Sequence, residues 1–247
     1  MRNKNAISKR IFSIILTIAV ALSMMPTMAW AADGDDTTPS GNVAEVTSGG
    51  TTTMYAELAD AFTEAQNAES ATVKLLDNVT LAQAKGITLT RGNIILDLNG
   101  KKLSIAEKSD FSSGIILNAS SDDTQKTIAT LTIRDSAGNG AIIQPNIVPA
   151  VRASADGRLI IESGTIQNKS SGAGDDNYPS CGVYVQGSGS VTINGGSIDA
   201  TYQGINISQY ASGATLKVEG SPTIHGENSN ALLVAAGNVQ LSGGTYT

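Results

Sequence analysis

The phrase VTINGGSIDA (Val191–Ala200) sets three alternating residues before a Gly pair and three more after it. It returns as LIIESGTIQN (Leu159–Asn168) and as VQLSGGTYT (Val239–Thr247). A unit this short has one apolar side and too few residues to cover it, so its copies must cover one another by stacking. The copies align in register. First segments are PAVRA (149–153), CGVYV (181–185), QGINI (203–207) and NALLV (230–234). Second segments are RLII, SVTI, TLKV and NVQL, ending at Ile161, Ile193, Val218 and Leu241, and third positions are Ile166, Ile198, Ile224 and Tyr246. The second-segment ends lie 32, 25 and 23 residues apart, and the long first step holds an insertion, KSSGAGDDNYPS (Lys169–Ser180). Fainter copies lie upstream in ILDL (95–98), KKLSI (101–105), GIIL (114–117), TLTI (130–133) and GAII (140–143).

Three short strands per repeat with no helix between them predict an all-β solenoid in which each repeat is one coil. A β-sandwich would need hairpin turns, and it would not predict matched three-strand units. Alternation sends Val183, Val185, Val191, Ile193 and Ile198 inward, and Tyr184, Gln186, Thr192 and Ser197 outward. The Gly residues mark the bends, because Gly accepts positive φ. Ahead of the repeats, MYAELADAFTEAQNAES spaces Tyr55, Leu58, Ala59, Phe62 and Ala65 at helical steps, which predicts one amphipathic helix.

The first residues follow another logic. Arg2, Lys4, Lys9 and Arg10 precede the apolar run Ile11–Met25, and Ala29-Trp30-Ala31 has the small-x-small form of a cleavage site. Residues 1–31 are therefore expected to be a signal peptide cut after Ala31, giving a secreted or cell-surface protein with no membrane attachment after cleavage. Residues 32–53, rich in Asp, Thr, Ser and Gly, are expected to be a flexible leader, and 54–247 the solenoid. The chain carries 16 Lys and Arg against 22 Asp and Glu; losing the four basic residues of the leader peptide deepens that excess. An acidic surface repels nucleic acid and anionic membrane. With one Cys (Cys181) and one His (His225), no internal disulfide or His/Cys metal cluster can form.

These segments resemble the right-handed parallel β-helix, or pectin-lyase-like, superfamily over roughly Tyr55–Thr247, and the phrase resembles repeat proteins of Gram-positive bacterial surfaces. The resemblance implies an N-terminal capping α-helix over the first coil. It also raises polysaccharide lyase or glycoside hydrolase activity, in which clustered Asp residues with an Arg or Lys base, or several Asp on neighbouring coils, attack acidic polysaccharide. The outward first-strand positions here are Arg152, Tyr184, Asn206 and Leu233, none of them a carboxylate, so no catalytic residue carries over. Asp122-Asp123 and Asp175-Asp176-Asn177 read as solvated loop charge, Asp97 as a turn support, His225 as a corner residue and Cys181 as a small hydrophobe.

No catalytic, cofactor or metal site is expected. Tyr178, Tyr184, Tyr202 and Tyr210 gather around two successive coils, and with Arg152 and Asn206 they suggest a face for an acidic or polar saccharide. The expected function is a structural or adhesin-like module binding cell-wall or host polysaccharide or a surface protein. The alternative is a lyase or hydrolase with catalytic coils beyond residue 247. Further coils or modules of the same protein are expected, because the chain stops just after a third strand.

Overall fold

In the computed structural model, which describes residues 41–81, 86–106, 113–119, 128–175 and 179–247, the described residues are mostly short β-strands joined by turns, with one helix among them. Strands β1 (Ala44–Ser48) and β2 (Thr51–Tyr55) precede helix α1 (Leu58–Asn67). Then come β3 (Ser70–Leu75), β4 (Val79–Leu81), β5 (Ile87–Leu89), β6 (Asn93–Asp97), β7 (Lys102–Ile105) and β8 (Ile115–Asn118). They are followed by β9 (Thr130–Arg134), β10 (Ala141–Gln144), β11 (Val151–Ser154), β12 (Arg158–Ile161), β13 (Thr165–Asn168) and β14 (Cys181–Val185). The last eight are β15 (Ser190–Ile193), β16 (Ser197–Ala200), β17 (Gln203–Ile207), β18 (Thr215–Val218), β19 (Thr223–Gly226), β20 (Leu232–Val234), β21 (Asn238–Leu241) and β22 (Thr245–Tyr246).

From β3 onward the strands visit three sheets in turn. Sheet A runs β3-β6-β9-β12-β15-β18-β21, sheet B β4-β7-β10-β13-β16-β19-β22, and sheet C β5-β8-β11-β14-β17-β20. Every pairing within these runs is parallel. The register is the one the aligned phrases predict: Ile161 pairs with Ile193, Ile193 with Val218 and Val218 with Leu241. In sheet B, Ile166, Ile198, Ile224 and Tyr246 follow one another.

Zero register shift stacks like on like. Leu96, Ile133, Ile161, Ile193 and Val218 form one inward column, and Ile115, Val151, Val183 and Ile205 another. All nine are buried in one apolar cluster. Each is covered from above and below by its counterpart. The rung of β20 to β22 has no such cover on one side, and Val234, Val239 and Leu241 are exposed by 44%, 36% and 48%.

The other end is closed. Helix α1 adds Leu58, Ala61, Phe62 and Ala65 to the same cluster. Its C-terminal turn is tied down where Thr90 N donates to Gln66 Oε1 (2.9 Å) and Arg91 Nε donates to the Gln66 carbonyl (3.0 Å). The helix begins later than its spacing suggests: Tyr55 lies in β2, and Ala61 takes the inward place expected of Ala59, which is exposed. At Leu58, Ala61, Phe62 and Ala65 the steps are three, one and three, which keeps one stripe facing the sheets.

The last ten residues of the expected leader, 44–53, belong to a strand pair. Residues 44–48 and 51–55 form an antiparallel hairpin that joins sheet A beside β3, with Val46 opposite Val73. Gly49 and Gly50 have φ of 55° and 80°, the two positive values a two-residue type I′ turn requires. A Gly pair between short alternating runs was the available signal. Residues 1–40, with the expected signal peptide and cleavage point, lie outside the described residues, as do Asp122, Asp123, Asp176, Asn177 and Tyr178.

The Gly195-Gly196 corner is set by the rung beneath it as much as by φ. A Cβ on Gly195 would stand 2.4 Å from the Glu162 carbonyl oxygen. Gly196 has φ 76°, and a Cβ there would stand 2.6 Å from the Gly164 carbonyl oxygen. Substituting either Gly195→Ala or Gly196→Ala is expected to cost about 1–3 kcal/mol of unfolding free energy. The exposed neighbour change Asn194→Ala should cost under ~0.5 kcal/mol. Urea midpoints measure this; equal midpoints for all three variants would contradict the close stacking of corners.

Candidate functional site

The outward side chains of sheet C form a second column. Ile116, Arg152, Tyr184, Asn206 and Leu233 are register partners on β8, β11, β14, β17 and β20. Their surroundings differ from what alternation alone suggests. Tyr184 is only 1% exposed, although it lies outside the apolar core cluster. Arg152 Cζ stands 6.0 Å from its ring centroid, a cation–π arrangement. Arg152 Nη2 donates to Gln186 Oε1, while its Nε is buried with no hydrogen-bond partner.

The tyrosines named for this face sit in different surroundings. Tyr184 cannot offer its ring to a ligand, because the outer side of β14 is covered. Tyr202 is half-buried in the corner between β16 and β17, and Tyr210 is 60% exposed in the loop after β17. These three do not form one stacking platform. Arg152, Tyr184 and Asn206 do share one column, as the register predicts.

The insertion Lys169–Ser180 is anchored at both ends by one buried amide. Asn168, at the end of β13, donates from Nδ2 to the carbonyls of Val148 (2.7 Å) and Cys181 (3.1 Å). Its Oδ1 accepts from Ser180 Oγ (3.0 Å) and from Ser170 N (3.2 Å). The Ser170 and Ser180 hydroxyls also bond to each other. All three residues are at least 98% buried. A fully satisfied amide in such a place is stable, and an unsatisfied one would be costly. The insertion thereby stands beside sheet C. Ala173, Gly174, Asp175 and Pro179 form one wall of a groove of about 260 Å³. Gln203, Asn206, Ser208 and Gln209 line it as well, together with Leu233 and Ala235 from the next rung.

Sequence reasoning did not find Gln203, Ser208 or Gln209. They bracket the strand whose outward residue it had named, but only the folded insertion turns them into a groove. A second cavity, of about 320 Å³, is lined by α1 and by β4 and β5. A third depression spreads over the flat outer side of sheet A around Arg158, Ser190 and Thr215.

The other singled-out residues serve structure. Asp97 is 2% exposed and accepts from the amides of Asn99 and Ser136 (3.0 Å each) and from Arg134 Nε (3.1 Å). Burial by itself pushes its carboxyl up, but the Ser136 and Asn99 hydrogen bonds and the Arg134 charge outweigh it and hold the group below the usual carboxylate range. Asp135, unremarked in the sequence, supports the backbone one rung on, accepting from Gly100 N (2.7 Å) and Gly140 N (2.6 Å). His225 pairs in register with Asp199 and shares a hydrogen bond with the Thr247 hydroxyl (2.9 Å). Lys169 Nζ meets Asp199 Oδ2 at 2.6 Å. Cys181 is fully buried, and that burial pushes its thiol well above the usual range. Among the described residues no group of three or more His, Cys, Asp or Glu could hold a metal ion, and no helix is long and apolar enough to cross a membrane.

No protein-family model, curated protein or solved structure matches this chain. Its likeness to any family therefore rests on the phrases quoted above and on the order in which the strands visit their sheets.

Two measurements check these assignments. Asp97 has a folded pKa below its unfolded one, so its stabilising effect is complete above about pH 4 and is lost as pH falls through the folded value. Asp97→Asn should lower stability at pH 7 by about 1–3 kcal/mol and flatten the acid limb of the stability profile. Parallel acid limbs for both proteins would contradict the assignment. Cys181 should resist alkylation by iodoacetamide in the native state and react on unfolding in urea; rapid native labelling would refute its burial.

Proposed function

We propose that this chain is the parallel β-helix of an exported, non-catalytic surface module that binds polysaccharide along the outer face of sheet C. The order A, B, C repeated without a break supports the β-helix reading. Right-handed coiling follows from the strong preference of parallel crossovers for that hand. The basic n-region, the apolar run and the Ala29-Trp30-Ala31 site support export. The resemblance to pectin-lyase-like and Gram-positive surface repeat proteins favours a glycan-rich setting for such a scaffold.

The observation that carries the binding reading is the groove beside β17. It is the place where an insertion departs from the repeat and is tied at its two ends to a buried amide, and loops positioned on a rigid frame are where binding residues concentrate. Its lining supplies amides, a hydroxyl and apolar patches. Asp175 is the one carboxylate on it among the described residues, whereas glycoside hydrolysis needs two facing one bond.

Incubation with polygalacturonate and other glycans, with and without calcium, tests this. Retention of the chain on an immobilised polysaccharide, with no new unsaturated or reducing ends, is the expected result. Release of such ends would replace the binding module with a lyase or hydrolase. Failure to bind any polysaccharide would remove the glycan role.

A further inference from the structure

We infer that the groove between the insertion and β17 takes a neutral, hydroxyl-rich segment of a saccharide chain, with the side chains of Gln203 and Asn206 as its polar contact. This rests on the polysaccharide-binding reading above and goes on to select a ligand class. Asn206 Nδ2 donates to Gln203 Oε1 at 2.6 Å. That bond orients both amides and leaves Asn206 Oδ1 as an acceptor, with the Gln203 Nε2 hydrogens and the second Asn206 Nδ2 hydrogen as donors. A fixed donor–acceptor pair matches two neighbouring sugar hydroxyls, each of which donates and accepts. Asn206 is only 9% exposed, so its orientation is held by its surroundings before any ligand arrives. Ser208 and Gln209 extend the same uncharged chemistry, while Leu233 and Ala235 supply exposed surface for the C–H side of a ring.

Charge argues against an acidic sugar. Arg152, two rungs from Asn206 in the same column, is already occupied: Nε is sealed off, Nη2 is held by Gln186, and the guanidinium lies over Tyr184. The Nε–Nη2 side of its fork therefore cannot close on a uronate carboxylate. Asp175 stands on the groove wall, and the chain carries a net charge of −6, so a polyanion is repelled both locally and at a distance. At about 260 Å³ the groove is smaller than the ~300–1,000 Å³ that enclose a drug-sized ligand, which suits a short stretch of a longer chain lying across it.

Calorimetric titration of the purified chain with neutral hexasaccharides (cello-, manno-, xylo- and chito-oligosaccharides) and with hexagalacturonate tests the assignment. One or more neutral probes should bind at least about tenfold more tightly than hexagalacturonate. Gln203→Ala and Asn206→Ala should each weaken that binding about tenfold, the scale of one lost hydrogen bond in a semi-enclosed site. Leu233→Asp should weaken it further, and Thr192→Ala on sheet A should leave it unchanged. Circular dichroism and urea midpoints establish that each variant is folded, and Gln203→Ala, at a half-buried position, carries the test if Asn206→Ala is not. Tighter binding of hexagalacturonate, lost in the same variants, would overturn the neutral preference and leave polysaccharide binding intact. Neutral binding indifferent to Gln203, Asn206 and Leu233 would overturn the groove as its site. No binding of any glycan would overturn this inference together with the reading on which it rests.

Discussion

Everything in this protein depends on each rung lying directly on the next with no register shift. Neighbouring strands in a sheet are about 4.8 Å apart, too close for side chains of one rung to fill more than their own layer. An inward Ile or Val therefore touches its counterpart above and below, and burial comes from repetition along the stack. Full burial of one such side chain is worth about 1.5–3 kcal/mol, so six matched layers supply the main driving force without a single Trp in the core. The same rule explains why the inward residues of the β20–β22 rung are exposed while identical positions one layer below are not.

The close spacing dictates the corners as well. Where one carbonyl lies directly over the next corner, a Cβ has no room, and Gly195 and Gly196 are there for that reason. Peptide groups at the corners cannot all pair with a neighbouring strand. Asp97, Asp135 and Asn168 accept or donate the bonds that would otherwise be missing. Polar residues inside this chain are thus a consequence of turning a stacked backbone. A buried carboxylate with a lowered pKa would ordinarily invite a functional reading; at Asp97 the contacts are to the backbone of its own corner at Asn99 and to the Ser136 amide and Arg134 side chain of the next rung.

Departures from the repeat are where the surface acquires character. The insertion between β13 and β14 adds no layer to the stack, so its residues need not match anything above or below. Pinned by Asn168 at its base, it can hold a wall in place over sheet C without disturbing the columns beneath. Frame and groove are separable in this design: the first requires Gly, Ile and Val at fixed spacing, and the second is free to vary.

The sequence by itself determined the strands of the repeats, their register and the inward columns. The repeat has a period, and a side-chain alternation of two translates that period into faces with little ambiguity. It also determined that Arg152, Tyr184 and Asn206 share one outward column. Only the tertiary structure decided that Tyr184 is covered, that Ala61 and not Ala59 faces the sheets, and that residues 44–55 join sheet A as a hairpin. The same holds for the groove formed by Gln203, Ser208 and Gln209 with the insertion. The physical reason is common to these cases. Alternation states which side of a strand a residue leaves from, but what lies on that side is set by segments distant in sequence and aperiodic themselves.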